Sequence, residues 1–386
     1  AEVLGSYQEL RRVETLRLQN AAWNAMEWFE VCGARYCDQL EPEQFMYSML
    51  TRSQRISHEN LRLRDKRWLD GFEQWFDLKS GLKADKPVPP MFTPYTVRGV
   101  TLKNRVVVSP MAQYSCTDGL PGEYHLVHLG SRALGGAGMV VAEMTCTSAD
   151  ARITPGCPGL WNTAQRDAWK RIVDFVHRES DAKIAVQIGH AGPKGSTNAP
   201  WQHTGADRPL AEDNWPLVAA SALPFLKDGA VPRAMTAEDM ARVKADFVRS
   251  TQLAAEAGFD WLELHCAHGY LLSSFISPLT NQRRDDYGGS LANRLRYPLE
   301  VFAAVRAAWP QHLPMSVRIS AHDWVDGGIT PSDAVEIARA FKAAGADMID
   351  CSSGQVSAAQ KPTYGRMYQT PFADRVRNEA GIATIA

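Results

Sequence analysis

The chain has 386 residues, which exceeds the usual size of one domain and predicts one large domain with a smaller segment attached. Its 42 lysines and arginines nearly balance its 43 aspartates and glutamates, giving a formal net charge of -1. That balance excludes a global field that would hold the chain on nucleic acid or an anionic membrane, and it favours a small-molecule substrate. Seven scattered cysteines without a CxxC pair predict a reducing, cytoplasmic setting. No apolar stretch in the sequence is long enough to cross a bilayer.

Residues 1–77 are predicted to form a small helical segment. Four apolar side chains recur at spacings of four, three and four, at Leu18, Ala22, Ala25 and Phe29. This spacing is typical of one buried helix face. Residues 78–90 have three prolines in their last four positions and cannot continue a helix, so we expect a linker there.

From residue 91 onward, short apolar runs alternate with helical segments. Seven runs have the composition of buried strands: 106–108, 139–142, 184–188, 261–265, 315–319, 348–351 and 383–386. Several follow an Ala-Gly step such as the one at Gly258, where glycine permits a left-handed helix end. Thr236 with Asp239, and Thr330 before Pro331, have the pattern of helix starts.

Repeated strand and helix units over some 300 residues predict a parallel α/β sheet, either doubly wound or closed as a barrel. Polar side chains gather where the predicted strands end, at Ser109, Glu143, Gln187, His190, His265, His268, Arg318 and Cys351. A barrel brings all such ends to one mouth, and no GxGxxG fingerprint follows the first strand. We therefore predict a (β/α)8 TIM barrel with its active site at that mouth.

The segment His265-Cys-Ala-His268-Gly-Tyr270 ends the fourth predicted strand. Two imidazoles at this spacing can donate together to a developing enolate oxygen, and Tyr270 could protonate the carbon beside the carbonyl. A zinc site would need further ligands that are not evident nearby, and two merely structural histidines are a second alternative.

Gln187 and Arg318 end the third and fifth predicted strands. A glutamine amide can pair with the donors and acceptors of a flavin pyrimidine, and a cation near flavin N1 stabilises the reduced ring. The alternative for Arg318 is a salt bridge within the barrel. Ser109-Pro110-Met111 after the first strand could hold backbone close to a flat ligand, although such segments are often ordinary loops.

Two arginine-containing segments have competing interpretations. Residues 277–294 are expected to form an ordered loop that leads into a helix capped by Ser290, with arginines that meet either phosphate or nearby carboxylates. Residues 50–68 carry five arginines and one lysine, which fits a solvated helix face or an inter-domain contact better than an RNA-binding helix.

From about Met91 to Ala386 the sequence resembles the Old Yellow Enzyme family of FMN-dependent ene reductases. The matching pieces are LKNRVVVSPMAQYS, VQIGHAGPKG, DWLELHCAHGYLLSSFISPLTNQRRDDYGGSLANR, SVRISAHDW and MIDCSSG. The resemblance implies FMN as the cofactor, NAD(P)H as the reductant and an unsaturated carbonyl compound as the substrate.

By this resemblance, six residues contact FMN: Ser109, Pro110, Met111, Met144, Gln187 and Arg318. His265 and His268 would hold the substrate carbonyl, Tyr270 would donate the proton, and Tyr114 would line the substrate side. Ala112 departs from the family pattern, which often has Cys or Thr at this position beside the flavin.

Residues 1–77 resemble the tail of a flavin monooxygenase module, as found in 2-aminobenzoyl-CoA monooxygenase/reductases and salicylyl-CoA 5-hydroxylases. This resemblance implies an aromatic acyl-CoA substrate, a role in aromatic degradation, and FAD in an N-terminal module outside this sequence. The chain stops within the seventh predicted barrel strand, so we expect a fragment that lacks strand eight and the loops that hold the FMN phosphate.

Three functional hypotheses follow. The first is the reductase half of such a bifunctional enzyme, and the second is a stand-alone ene reductase for small enones. The third is a non-catalytic scaffold barrel. We further expect a homo-oligomer with neither a nucleic-acid nor a membrane partner and with no bound metal.

Overall fold

The computed structural model describes residues 2–202 and 207–386. The chain divides into two compact units, Ala1–Pro94 and Tyr95–Ala386. Residues 78–90 lie within the first unit. Within the described residues, no helix is both long enough and apolar enough to span a membrane.

The described part of the first unit is helical. Its α-helices are α1 (Glu2–Val31), α2 (Pro42–Thr51), α3 (His58–Arg64) and α4 (Lys66–Lys79), with a π-helical turn at Cys32–Tyr36 and a 3-10 turn at Pro90–Phe92. Leu61, Leu69 and Phe72 form a small buried core between α3 and α4. Trp28 is buried at the end of α1, where its ring lies 5.4 Å from that of Phe45 on α2.

The predicted buried stripe along α1 is wrong. Leu18 is 61% exposed and Phe29 is 60% exposed, and every residue from 3 to 20 is exposed. A helical spacing shows which side chains share a face, but it does not show that this chain supplies something to cover that face.

An ion-pair network joins α3 to α4 within the arginine-containing segment 50–68. Arg62 lies 2.5 Å from Glu73 and 3.0 Å from Asp70, and His58 Nε2 lies 2.7 Å from the same Glu73. Glu73 is fully buried, so the Arg62 guanidinium and the hydrogen bond with His58 offset the cost of burying this side chain. The network favours the structural interpretation of this segment over an RNA-binding helix.

The second unit is built on a nearly closed parallel sheet. Its seven strands are β3 (Val107–Val108), β4 (Met139–Cys146), β5 (Lys183–Gly189), β8 (Trp261–Cys266), β9 (Met315–Ser320), β10 (Met348–Ser352) and β11 (Ala383–Ile385). Each strand pairs in parallel with the next barrel strand along the chain. All seven strands were predicted from the sequence.

Helices follow the strands on the outside. They are α5 (Glu123–Leu134), α6 (Thr163–Glu179), α7 (Ala237–Ala257), α9 (Leu291–Ala308), α10 (Pro331–Ala343) and α11 (Thr370–Arg375), which continues as a π-helical turn at Val376–Ala380. The loops at the mouth add α8 (Leu271–Ile276), the short strands β6 (Val218–Ala219) and β7 (Arg233–Ala234), and 3-10 turns at Ala149–Ala151 and Gly192–Lys194. The alternation is that of a TIM barrel, which confirms the predicted fold class.

Helix ends follow the sequence signals. Gly258 ends α7 in the left-handed region with φ 90°, as the Ala-Gly step predicts. The Thr236 side chain accepts from the Asp239 amide in a capping box, and Thr330 caps α10 with proline at its first position.

A hairpin that was not predicted closes the bottom of the barrel. Strands β1 (Tyr95–Val97) and β2 (Val100–Leu102) pair antiparallel, and they place Val100 and Leu102 against the barrel interior. The inward side chains that meet them are Met139, Val141, Ala185, Trp261 and Met348. We call these five residues the floor.

Candidate active site

Successive side chains of each barrel strand point alternately outward, toward the helices, and inward, into the barrel. On β8, Leu262 and Leu264 pack against the helices, whereas Trp261 points into the floor. Glu263 and His265 share the face of Trp261, so they occupy the middle and the mouth of the barrel. His265 is in register with Arg318 of β9, which is in register with Asp350 of β10.

His265, His268 and Tyr270 meet at the mouth. The His265 ring centroid lies 5.1 Å from that of His268 and 5.1 Å from that of Tyr270, and the rings stand edge to face. The chain turns back here because His268 and Gly269 both adopt left-handed backbone, with φ 64° and 74°. Three residues predicted to share one site are therefore in contact.

Hydrogen bonds fix the His265 tautomer. The Ala267 amide donates to Nδ1 of His265 over 3.3 Å, so the ring proton belongs on Nε2. Burial, followed by the charges of Arg318 and Lys194, holds the His265 pKa well below its ordinary value. His265 is thus a neutral hydrogen-bond donor at physiological pH.

His268 is held by serines from two other strands. Its amide donates to Ser320 Oγ over 2.9 Å, and its Nε2 lies 2.6 Å from Ser352 Oγ. Burial lowers the His268 pKa well below its ordinary value, and His265 and Arg318 lower it further. Both imidazoles therefore stay neutral, and an oxygen held by them meets hydrogen-bond donors, not a fixed charge.

Tyr270 keeps its phenolic proton. Burial raises the Tyr270 pKa well above its ordinary value, with a smaller contribution from Tyr114. A buried lysine, Lys194, lies 5.4 Å from the Tyr270 ring and donates to the backbone oxygens of His268 and Gln355. Lys194 thus ties three loops of the mouth together around the tyrosine.

Tyr114 lies on the loop after β3 in left-handed backbone with φ 49°. The buried Glu143 holds this loop by accepting from the Gln113 amide over 2.7 Å, and its other oxygen lies 2.9 Å from His125 Nε2. The Tyr114 ring lies 5.8 Å from that of Trp201, which is 67% exposed. The two rings form an aromatic wall at the mouth.

The predicted cofactor residues lie at two depths. Ser109, Pro110 and Met111 follow β3 at the open edge of the sheet, where Ser109 is exposed and Met111 is 44% exposed. Met144 is buried beside Gly189, where an added Cβ would lie 2.7 Å from the Met144 side chain. Gly189 therefore lets the Met144 side chain pack directly against the backbone of β5.

Gln187 is in register with Glu263, and Arg318 is in register with His265 itself. Gln187 donates through Nε2 to Glu263 over 2.9 Å, and Arg318 Nε lies 3.4 Å from Asp350 Oδ2. The salt-bridge alternative for Arg318 is thus present. However, Arg318 Nε is buried without a hydrogen-bond partner among the described residues, so the Asp350 contact leaves its donors incompletely used.

These features fit FMN. An anionic flavin edge could use the remaining donors of Arg318, and the Gln187 amide, whose nitrogen donates to Glu263, has an oxygen that could accept from the flavin. The barrel interior thus has both a cation, Arg318, and an amide, Gln187, to hold a flavin pyrimidine.

Other interpretations are weaker in the described part of the chain. No three His, Cys, Asp or Glu side chains there could together hold a metal ion. Arg283 of the 277–294 loop donates to the backbone oxygens of Ala220 and Met235 and lies against Asp285, which is a scaffolding role. Ser290 caps α9 as predicted.

Sequence reasoning missed Glu263, Lys194 and Ser352. Glu263 was detectable, because it lies two positions before His265 and therefore on the same strand face. Lys194 and Ser352 gave no local signal, since their roles depend on which loops the barrel brings together.

The model of the NADH:flavin oxidoreductase / NADH oxidase family matches residues 90–385. An NADPH dehydrogenase of Geobacillus sp. (strain WCH70) is 41% identical over 296 residues, which cover 76% of this chain and 81% of that protein. An NADH:flavin oxidoreductase of Gibberella zeae is 39% identical over 306 residues, covering 75% of this chain and 74% of its own length.

Two solved structures are similar to the second unit. Morphinone reductase in complex with tetrahydroNAD superposes with a TM-score of 0.62 at 27% identity, over 77% of this chain and 80% of that one. A complex of 2-naphthoyl-CoA reductase with 2-naphthoyl-CoA gives a TM-score of 0.66 at 25% identity over 76% of this chain. The match spans 45% of the 2-naphthoyl-CoA reductase chain.

Proposed function

The chain belongs to the NADH:flavin oxidoreductase / NADH oxidase family, and from this membership we propose that it reduces a carbon–carbon double bond conjugated to a carbonyl group. It is an NAD(P)H-dependent flavin oxidoreductase with FMN as its cofactor. The observation that carries the proposal is the contact of two neutral imidazoles with one protonated tyrosine at the barrel mouth.

When bound, FMN supplies the hydride, which it takes from NAD(P)H and which goes to the β carbon of the substrate. Arg318 and Gln187 would hold the flavin edge, and Ser109, Pro110, Met111 and Met144 would line the rest of its site. The Arg318 guanidinium is a cation that can balance negative charge on the cofactor.

His265 and His268 would bind the carbonyl oxygen. Hydride addition at the β carbon moves negative charge onto that oxygen, and donors placed there stabilise the charge as it develops. The Ala267 amide and Ser352 orient the two rings, so little reorganisation is needed when the substrate reacts.

Tyr270 would complete the addition by giving its phenolic proton to the α carbon. Its raised pKa keeps that proton in place at neutral pH. The resulting phenolate lies 5.4 Å from the Lys194 amine, measured to the ring centroid, and regains a proton from solvent.

Isotope labelling tests this assignment. The FMN-loaded protein is supplied with a small cyclic enone and NADPH deuterated at the transferable position, and the product is examined by NMR. We expect deuterium at the β carbon and a solvent proton at the α carbon. Deuterium at the α carbon would refute hydride addition at the β carbon, and deuterium on the carbonyl carbon of an alcohol would refute alkene reduction.

We propose further that the natural substrate is an aromatic or dearomatised acyl-CoA. The wall formed by Tyr114 and Trp201 supports this, because the exposed Trp201 ring and the partly buried Tyr114 ring beside it can pack against a planar acyl group. The likeness to a protein solved with 2-naphthoyl-CoA also supports it. Trp201→Ala should raise KM for an aromatic acyl-CoA and leave KM for a small enone unchanged; equal changes for both substrates would favour a stand-alone ene reductase.

We propose finally that the reductase works as one part of a monooxygenase/reductase. The support is the resemblance of residues 1–77 to the tail of a flavin monooxygenase module. The flavins released from the full-length gene product decide between the alternatives by mass. FAD and FMN together are expected, and FMN alone would refute the two-part enzyme.

A further inference from the structure

The middle of the barrel holds two buried carboxyl groups and one guanidinium that the proposed reaction does not fully use. Glu263 is 2% exposed and Asp350 is 4% exposed, and both face the interior together with Arg318. We propose that Glu263 is a positioning residue for the cofactor: it fixes the Gln187 amide and takes up a proton when the bound FMN is reduced. This inference rests on the cofactor site described under the proposed function.

Each Glu263 oxygen has one neutral partner. Gln187 Nε2 donates to Oε1 over 2.9 Å, and Ser316 Oγ lies 3.0 Å from Oε2. Ser316 Oγ also accepts from the indole of Trp261 over 2.9 Å. The carboxyl group therefore sits in a hydrogen-bonded chain that runs from the floor to Gln187.

The geometry decides which of the two carboxyl groups keeps a proton. Asp350 lies 3.4 Å from Arg318 Nε, whereas the hydrogen-bond partners of Glu263 are neutral. Burial, followed by the charge of Asp350, raises the Glu263 pKa to about 8, and Arg318 opposes this rise. Burial also raises the pKa of Asp350, but the Arg318 guanidinium beside it opposes this rise, so we place the proton of the pair on Glu263.

Both protonation states of Glu263 satisfy the same contacts. When it is ionised, Ser316 donates to Oε2; when it is neutral, Oε2 can donate to Ser316 Oγ, which already accepts from Trp261. In either state Oε1 accepts from Gln187, so the amide nitrogen stays toward Glu263 and the amide oxygen stays available to a ligand. The contacts of Glu263 with Gln187 and Ser316 can thus persist when the carboxyl group changes its charge.

Reduction of FMN affects Glu263 through the negative charge that it adds nearby. Two electrons and one proton reach FMN as hydride from NAD(P)H, which adds negative charge beside Gln187 and Arg318. Added negative charge raises the pKa of a nearby carboxyl group. Above pH 8, where Glu263 is ionised before reduction, its carboxylate therefore takes a second proton from solvent.

The pH dependence of the reduction potential of the bound cofactor shows how many protons the protein takes up on reduction. The FMN-loaded protein, Glu263→Gln and the control Asp323→Asn are titrated spectroelectrochemically from pH 6 to 9.5. Asp323 is also buried, but it bonds Ser277 and the Ile329 amide and not Gln187. In the unaltered protein and the control, protons taken up per two electrons should rise from one toward two above pH 8.

Glu263→Gln should take up one proton across the whole range. An unchanged rise in Glu263→Gln, or its loss in Asp323→Asn, would overturn the inference while leaving the proposed function intact. Absence of FMN from the unaltered protein would instead overturn the proposed function.

Infrared difference spectra keep the inference testable if Glu263→Gln fails to fold. Reduction of the unaltered protein at pH 9 should produce a protonated-carboxyl band, which Ser316→Ala shifts through its contact with Oε2. Absence of the band, or a band that Ser316→Ala leaves in place, would contradict the inference.

Discussion

The floor and the mouth of the barrel are built on the same strands but differ in chemistry. Trp261 and His265 are both inward residues of β8, four positions apart. The indole packs with Met139 and Val141 in an apolar cluster, whereas the imidazole meets another imidazole and a tyrosine. Stability can therefore be concentrated at the floor and reactivity at the mouth. Glu263 lies between them on the same face of β8.

Removing both histidines should affect the mouth most. His265→Ala with His268→Ala deletes two donors to the carbonyl oxygen, each worth about 10²–10³ in kcat, so enone reduction should fall at least about 10⁴-fold. NADPH should still bleach the flavin, as rapid mixing without oxygen will show. Loss of the flavin itself from this variant would mean that the histidines support the cofactor and not the substrate.

Tyr270→Phe should slow the same step less. A positioned general acid contributes about 10²–10⁴-fold, so the reoxidation of reduced flavin by an enone should slow within that range. Tyr287→Phe is the matched control, because Tyr287 bonds Glu300 and not the two histidines. A normal rate in Tyr270→Phe would assign the proton to solvent.

Met139→Ala tests whether the floor contributes to stability without affecting catalysis. Met139 is 1% exposed in the apolar cluster, and truncating such a side chain costs about 2–5 kcal/mol of unfolding free energy. Chemical denaturation measures the loss. The folded variant should keep the kcat of the unaltered protein, and a large fall in kcat would show that floor and mouth are not separable.

Acid should lower the free energy of unfolding because the buried histidines of the mouth are neutral in the folded protein. The pKa values of His265, His268 and His190 are lowered in the folded chain, His190 to about 4, mainly by burial. The unfolded chain then binds more protons below about pH 6.5, so stability falls as pH falls through that value, with His190 contributing roughly 2 kcal/mol between pH 7 and pH 5. Urea midpoints across this range test the effect, and His190→Gln should reduce the slope; a flat profile would contradict neutral buried imidazoles.

The barrel was predictable because its strands and helix ends carry local signals. The Ala-Gly step at Gly258 and the capping box at Thr236 act within a few residues, and the strand ends gave the positions of His265 and Arg318. The hairpin at Tyr95–Leu102 was missed although its Arg98-Gly99 turn, with Arg98 at φ 48°, lies between alternating residues.

Other features had no local signal. The contact of Lys194 with the backbone of Gln355 joins residues 161 positions apart, which only the closed barrel brings together. The exposure of Leu18 likewise depends on what lies beside α1 and not on its own spacing.

An anaerobic titration tests the central claim most directly. The purified full-length gene product is bleached with one equivalent of NADPH and then mixed with a small enone, while the flavin absorbance is followed. The account predicts bleaching, followed by full recovery of the oxidised spectrum with one saturated product per flavin. A protein without a flavin spectrum, or a bleached flavin that the enone does not reoxidise, would contradict it.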